Sequence, residues 1–384
     1  MYRWFCHLGW QDPVPDDTTL VVFRRLLGAD GFHRLFNRLI EQSRELGRIQ
    51  SSWLLIDGTK LTAHVAVKNT LFLVREGRKR ILKLVARKDP GKAAEPSQQS
   101  APCADADYPS HSELLAAEQE RGHAFLTAVT DCLDPQLAQE GHTYEQILAG
   151  EGVASFSDPD ALGIQKKKEP FLVYKIHTAC TEQGIVTAAA ITRGNESELP
   201  QLPQLVEAVL QRGHTPHRLA ADTSYDSFGI REYLIRKAIR PYIPVKPTGK
   251  KSTGFTYDSK HNTMRCPRGK ASIGATPHQK GGKIYYFSEK DCVPCPFRIS
   301  CLGEFSTHKR VYRNEHTTLH RVKGVKHAMR VRKTIERVFA DAKTWHRMGR
   351  AWYRGLQRLS IQVYLTFMVV NAKKLALRGS PAGC

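Results

Sequence analysis

Apolar and polar positions alternate between helical and extended spacing along the chain, and they predict an ordered series of elements. "DDTTLVVFRRLLG" has Asp and Thr at its start, an apolar period and a closing glycine, the marks of a short helix. "GFHRLFNRLIEQSRELG" repeats that design, with Phe32, Leu35, Phe36 and Leu39 on one stripe. In "SSWLLIDGTKLTA" the continuous run Trp53 to Ile56 predicts a buried strand that ends at Asp57 and Gly58. "FLVYKIHTAC" and "GIVTAAAITRG", separated by "TEQ", predict a hairpin. A helix follows in "ESELPQLPQLVEAVLQRG", then a strand in "HRLAADTSYDS" that ends at Asp222, a helix in "SFGIREYLIRKAI" and a short strand in "RPYIPVK". Beyond an interruption of about 80 residues, a helix carries Glu336, and "SIQVYLTFMVVNAKKLAL" predicts a packed C-terminal helix.

Between these elements the composition changes. Residues 88–110, rich in Pro, Ala, Ser and Gln, predict a loose linker. An acidic, partly helical stretch runs to about residue 150, and "SDPDALGIQKKKEP" predicts a turn-rich basic loop. The expected divisions are a helical region at 1–50, an α/β core at 51–250 interrupted at 88–165, an insertion at 251–325 and closing helices at 326–384.

Charge narrows the class of partner. Lys and Arg total 58 against 37 acids, a net of +21, which favours a polyanion such as nucleic acid. The excess is uneven: residues 321–378 hold 15 Lys and Arg and two acids, while residues 104–165 hold 12 acids and one base. The longest apolar run near the C-terminus, "IQVYLTFMVV", is too short to span a bilayer, and the first residues lack the layout of a signal peptide. Cytoplasmic location is the expectation.

Three acids stand out against this background. Asp57 and Asp222 each follow an apolar strand, where an α/β sheet presents side chains to solvent. Taken singly, each also fits an ordinary turn aspartate. In "RKTIERVFADAKTWHRMGR", Arg332, Glu336 and Lys343 fall within about 40° on one helix face, beside the apolar stripe Ile335, Val338, Phe339 and Ala342. A solvated i,i+4 pair between Arg332 and Glu336 fits the spacing equally well. If the three carboxylates meet, they suit Mg²⁺, and two such ions support in-line phosphoryl displacement. Lys and Arg around them would neutralise a DNA backbone.

At these positions the chain resembles the DDE transposases of bacterial insertion sequences. The matching stretches are "LLIDGTKLTAHV", "FLVYKIHTAC", "LAADTSYDS" and the run from Arg332 to Ala376. The resemblance implies a ribonuclease H-like mixed sheet flanked by helices. It implies catalytic Asp57, Asp222 and Glu336 holding two Mg²⁺ (Mn²⁺ as substitute), with Arg332 and Lys343 on phosphate. The implied activity is cleavage of transposon terminal inverted repeats and transfer of the freed 3′ hydroxyl into target DNA, by a homodimer or larger assembly. The opening residues resemble the tail of the family's N-terminal helical region, so truncation of that region is expected.

Further candidates surround this set. Lys175 and His177 share one strand face and approach either DNA or the acids, or are ordinary surface residues. Arg337, Arg350 and Arg354, interleaved with Trp345, Trp352 and Tyr353, suit DNA contacts and base stacking, with core packing the alternative for Trp345. Cys266, Cys292, Cys295 and Cys301 form a C-x25-C-x2-C-x5-C pattern around the strand-like "KIYYFSEK". They are candidate ligands of a structural Zn²⁺, or four reduced thiols. The rival activities are a metal-dependent nuclease without strand transfer and an inactive zinc-containing DNA-binding relic.

Overall fold

The computed structural model describes residues 8–379, apart from 66–67, 94–95, 98–99, 131–134, 154, 167–168, 246–253, 279–281, 303–305 and 314–323. Helix α1 (Asp17–Glu45) begins on Asp16, whose side chain accepts from Thr19 N, and breaks at Gly28, where φ is 61°. The glycine thus ends the first helical pattern as expected, and the second continues from it.

Strand β1 (Trp53–Thr62) is longer than its apolar run. Trp53 to Ile56 are buried on both faces, which explains the lack of alternation. Asp57 does not end the strand. The ladder continues through Gly58 to Thr62 because β3 (Glu169–Thr181) pairs with it antiparallel as far as Thr62 opposite Val173. β3 and β4 (Val186–Arg193) form the expected hairpin. A strand also occupies the expected basic loop: β2 (Leu162–Lys166) pairs with the leading residues of β3.

Helix α2 (Thr70–Lys88), α3 (His111–Val129) and α4 (Pro135–Leu148) interrupt the sheet. They enclose their own core of Leu73, Val74, Ile81, Val85, Phe125, Val129, Tyr144 and Ile147. Gly77 is required there, since a Cβ would stand 2.3 Å from the Tyr144 ring. The stretch expected as a loose linker is tied to these helices. Fully buried Arg78 pairs with Glu118, Arg75 Nε donates to the same carboxylate at 2.7 Å, and Cys103 N donates to it at 2.9 Å.

After α5 (Gln201–Gln211), β5 (Arg218–Ala220), α6 (Phe228–Arg236) and β6 (Arg240–Tyr242) complete a six-stranded mixed sheet. Its order is β2-β3-β1-β5-β6 with β4 on β3; β1, β5 and β6 are parallel. Next comes a small module of β7 (Thr256–Asp258) with β8 (Thr263–Arg265), and of β9 (Gly274–Pro277), β10 (Lys283–Tyr286) and β11 (Arg310–Arg313). Two one-turn helices, Glu289–Cys292 and Arg298–Cys301, carry two of its cysteines, and Cys295 lies between them.

Helices α7 (Val325–Trp345) and α8 (Leu356–Gly379) close one face of the sheet. Ile335, Val338 and Phe339 of α7 and Leu359, Val363 and Phe367 of α8 pack with Leu55, Leu61 and the α1 residues Phe32 and Phe36. Leu54 and Ile56 face the other way, onto Leu202, Leu205 and Val209 of α5 and Leu234 of α6. Buried Asn371 bonds Val186 through both N–H and carbonyl, at 2.8 Å each, which ties α8 to edge strand β4. Among the described residues no helix is long and apolar enough to cross a membrane.

Candidate active site

The parallel pairing of β1 with β5 sets Leu55 beside Ala220. Two residues further along each chain stand Asp57 and Asp222, on strands spaced by about 4.8 Å. Asp57 remains in the β1 ladder opposite Thr178. Asp222 has left β5 and caps the turn Thr223–Tyr225, accepting from Ser224 N at 2.8 Å. Burial pushes the Asp57 carboxyl up to about 6; Arg332 and the Gly58 N–H pull the other way, and the Asp222 charge adds to the rise.

The third acid comes from α7, whose apolar stripe fixes its rotation over the sheet. Arg332 donates through Nη1 to Asp57 Oδ2 at 2.6 Å and through Nη2 to Glu336 Oε1 at 2.8 Å. A rigid guanidinium with these two bonds holds the carboxylates within about 8 Å of each other. The expected i,i+4 pair therefore exists, but the same arginine also reaches the sheet. Its side chain is 17% exposed and that of Glu336 51%. Arg332 Nε has no hydrogen-bond partner among the described residues.

A carboxylate absent from the sequence reading lies beside this group. Glu198 Oε2 accepts from Ser224 Oγ at 2.8 Å, and the same hydroxyl meets Asp222 Oδ1. The Glu198 carboxyl lies over Gly58, where a Cβ would be 3.6 Å from its Cδ. Its sequence, "GNESELP", looks like an ordinary turn; only the folded chain brings it to Asp222. Tyr225 is fully buried, and its hydroxyl has no partner among the described residues. Burial raises its pKa first, followed by the charges of Glu198, Asp57 and Asp222, with Arg332 opposing.

The remaining candidates divide by location. Lys175 Nζ donates to the Glu196 carbonyl at 2.7 Å and stands 4.0 Å from Glu198 Oε1. His177 is buried, with Nε2 2.9 Å from Thr192 Oγ1, and burial lowers its pKa to about 4. Lys343, Arg337, Arg350 and Arg354 are exposed. The loop bearing Arg350 hydrogen-bonds the end of β1, through Thr62 N to Gly349 O and Ala351 N to Thr62 O. Trp345 is not core: it is 74% exposed, and Trp352 is 58% exposed with Arg347 over its ring. Cys266, Cys292, Cys295 and Cys301 carry free thiols and line one cavity of about 460 Å³.

Among the described residues, no group of three or more His, Cys, Asp or Glu side chains is arranged to hold a metal ion. At the acidic site the reason is visible: the Arg332 guanidinium fills the interval between Asp57 and Glu336. The donors around it are carboxylate and hydroxyl oxygens, which suit a hard divalent cation, and a side-chain cation already stands among them.

The profile described as "Transposase DDE domain" matches residues 153–372, a little over half of the chain. The match contains Asp222, Glu198, Arg332, Glu336, Lys343 and the four cysteines, while Asp57 lies before it on the strand paired to β3 and β5. Among curated proteins none matches. A solved piggyBac transposase, in a synaptic complex with hairpin DNA, aligns over 91% of this chain and 73% of its own at 10% identity, with a TM-score of 0.30. Transposases with this domain transfer phosphoryl groups in nucleic acid with divalent metal ions. On its profile match and its mixed sheet, the chain belongs to the DDE-domain transposases.

Proposed function

We propose that the protein cleaves the terminal inverted repeats of an insertion sequence and transfers the freed ends into target DNA. Asp57, Asp222 and Glu336 are the ligands of two Mg²⁺ ions, for which Mn²⁺ substitutes. The observation that carries this reading is the single Arg332 guanidinium shared by Glu336 and by Asp57, which lies within a strand whose neighbour leads into Asp222. Bound ions supply charge stabilisation to an in-line displacement at phosphorus. In cleavage, a water oxygen bonds to phosphorus and the 3′ oxygen leaves with a proton. In transfer, that 3′ hydroxyl attacks a target phosphodiester and a target 3′ oxygen leaves.

The chain's own part is to place DNA. Arg332, freed from the carboxylates, and Lys343, about three turns along α7 from it, take phosphate oxygens beside the acids. Arg337, Arg350 and Arg354 extend the cationic surface, and Lys175 balances the acids from β3. Trp345 and Trp352 offer exposed faces to unpaired bases near a cut end. A structural Zn²⁺ on Cys266, Cys292, Cys295 and Cys301 would hold the small module, whose buried cluster among the described residues is small: Met264, Tyr285, Phe287 and Val311. The working unit is a homodimer or larger assembly, acting on DNA in the cytoplasm.

The test uses labelled DNA carrying the inverted repeats that flank the gene, with target DNA and Mg²⁺ or Mn²⁺. Joined products support strand transfer. Cleaved ends without joining point to a nuclease, and binding without cleavage in either metal to an inactive relic.

A further inference from the structure

We propose that Glu198 is a fourth acidic ligand of the cation site, on the opposite side of the sheet from Glu336, where β5 ends beside the middle of β1. The proposal rests on the reading of Asp57, Asp222 and Glu336 as that site.

Topology places the two glutamates on opposite sides. Glu336 comes from α7, which covers the sheet face of Leu55 and Leu61. Glu198 comes from the turn into α5, which covers the face of Leu54 and Ile56. The turn is fixed by its backbone: Glu198 O accepts from Gln201 N at 3.1 Å, and Lys175 holds the Glu196 carbonyl. Glu196 itself is used locally, accepting from Arg193 N at 3.1 Å. Glu198 is left to point at Ser224 and Gly58.

The hydrogen-bond inventory there is incomplete. Ser224 Oγ has one hydrogen and faces two carboxylates, so one of them receives no proton from it. Lys175 stands 4.0 Å from Glu198 and donates elsewhere, so it is a weak partner. The buried Tyr225 hydroxyl, which feels the charges of Glu198, Asp57 and Asp222, has no partner among the described residues. A simple surface ion pair does not explain a second carboxylate on the Asp222 hydroxyl contact. A cation does, because it takes lone pairs from both acids at once. Charge agrees: two divalent ions carry four positive charges, Asp57, Asp222 and Glu336 supply three negative ones, and Glu198 supplies the fourth.

The test is calorimetric titration of the full chain with Mn²⁺, paired with melting curves in EDTA. The wild type is expected to take up two Mn²⁺. Glu198→Gln is expected to lose one or to bind it at least about tenfold more weakly, since a neutral amide is a poor ligand for a hard cation. In EDTA its melting temperature should equal or exceed that of the wild type, because a like charge has been removed. Glu198→Asp should recover part of the affinity, and Glu196→Gln should match the wild type. Wild-type Mn²⁺ binding by Glu198→Gln, with binding lost in Asp57→Asn, overturns this proposal and leaves the three-acid site standing. A lower melting temperature in EDTA with unchanged Mn²⁺ binding makes Glu198 structural and overturns it too. Unchanged binding in both Glu198→Gln and Asp57→Asn, or no binding by the wild type, removes the cation site itself.

Discussion

Arg332 and Asp57 are 275 residues apart in the chain and 2.6 Å apart in the fold, and the arginine that makes this contact also holds Glu336. A cationic side chain thus stands among carboxylates in the position that the proposed mechanism gives to metal. Burial disfavours the charge on Asp57, and Arg332 partly offsets that cost.

Removing the arginine separates its two roles. Arg332→Ala should destabilise the protein in EDTA by about 1–3 kcal/mol, the scale of a charged hydrogen bond left unmade. Millimolar Mn²⁺ should restore most of that loss. Melting curves with and without metal check this; a deficit that persists in Mn²⁺ means the arginine does not stand in for a cation.

Buried His177 sets a pH dependence. Its pKa falls from the ordinary value of about 6.5 to about 4 because burial disfavours the imidazolium, with Lys175 adding to the effect. The unfolded chain therefore binds the proton first. The stability linked to this group is complete above pH ~6.5 and is lost as pH falls through ~4, amounting to at most about 3 kcal/mol. Asp57, raised to about 6, acts with the opposite sign in an overlapping window, so the measurement is a difference. Denaturant unfolding at pH 7 and pH 4 should show a smaller acid loss for His177→Gln than for the wild type. Equal losses would contradict the assignment.

The helical insertion has its own weak point. Arg78 is fully buried on Glu118, so Arg78→Ala leaves a buried carboxylate that keeps Arg75 but loses its closest partner. A cost of about 3–5 kcal/mol is expected. Limited proteolysis should cut first between residues 88 and 110, where the chain is held by these side chains.

That insertion also marks the limit of what the sequence conveys. Residues 88–110 look like a linker by composition, yet Glu118 and the arginines of α2 fix Ser100, Cys103 and Asp105 through contacts across 15 to 30 residues. β1 was legible as an apolar run, but its continuation past Asp57 depends on β3, more than 100 residues away. β2 had no apolar signature and owes its extension to the same partner. Asp57, Asp222 and Glu336 could be singled out because the close of an apolar run and the face of a helix are local patterns, although the run before Asp57 closes in mid-strand. Glu198 could not, since "GNESELP" carries no period and its link to Asp222 runs through a serine 26 residues on.

Exposed Trp345 allows a binding test without a folding penalty. Trp345→Ala should change stability by no more than about 0.5 kcal/mol, as expected away from packed features. Affinity for single-stranded DNA should fall by about 1–3 kcal/mol if a base stacks on the ring. Fluorescence anisotropy at fixed salt reads this directly, and unchanged affinity would remove Trp345 from the DNA surface.

The most direct measurement of the whole account is strand cleavage by Glu336→Gln compared with its affinity for the same DNA, in Mg²⁺ and in Mn²⁺. The amide keeps the size of the side chain and removes the charge that a cation needs. The account predicts near-normal DNA binding and a cleavage rate lower by about a thousandfold or more, equivalent to several kcal/mol of lost charge stabilisation. Cleavage at the wild-type rate would contradict it, whatever the other variants did.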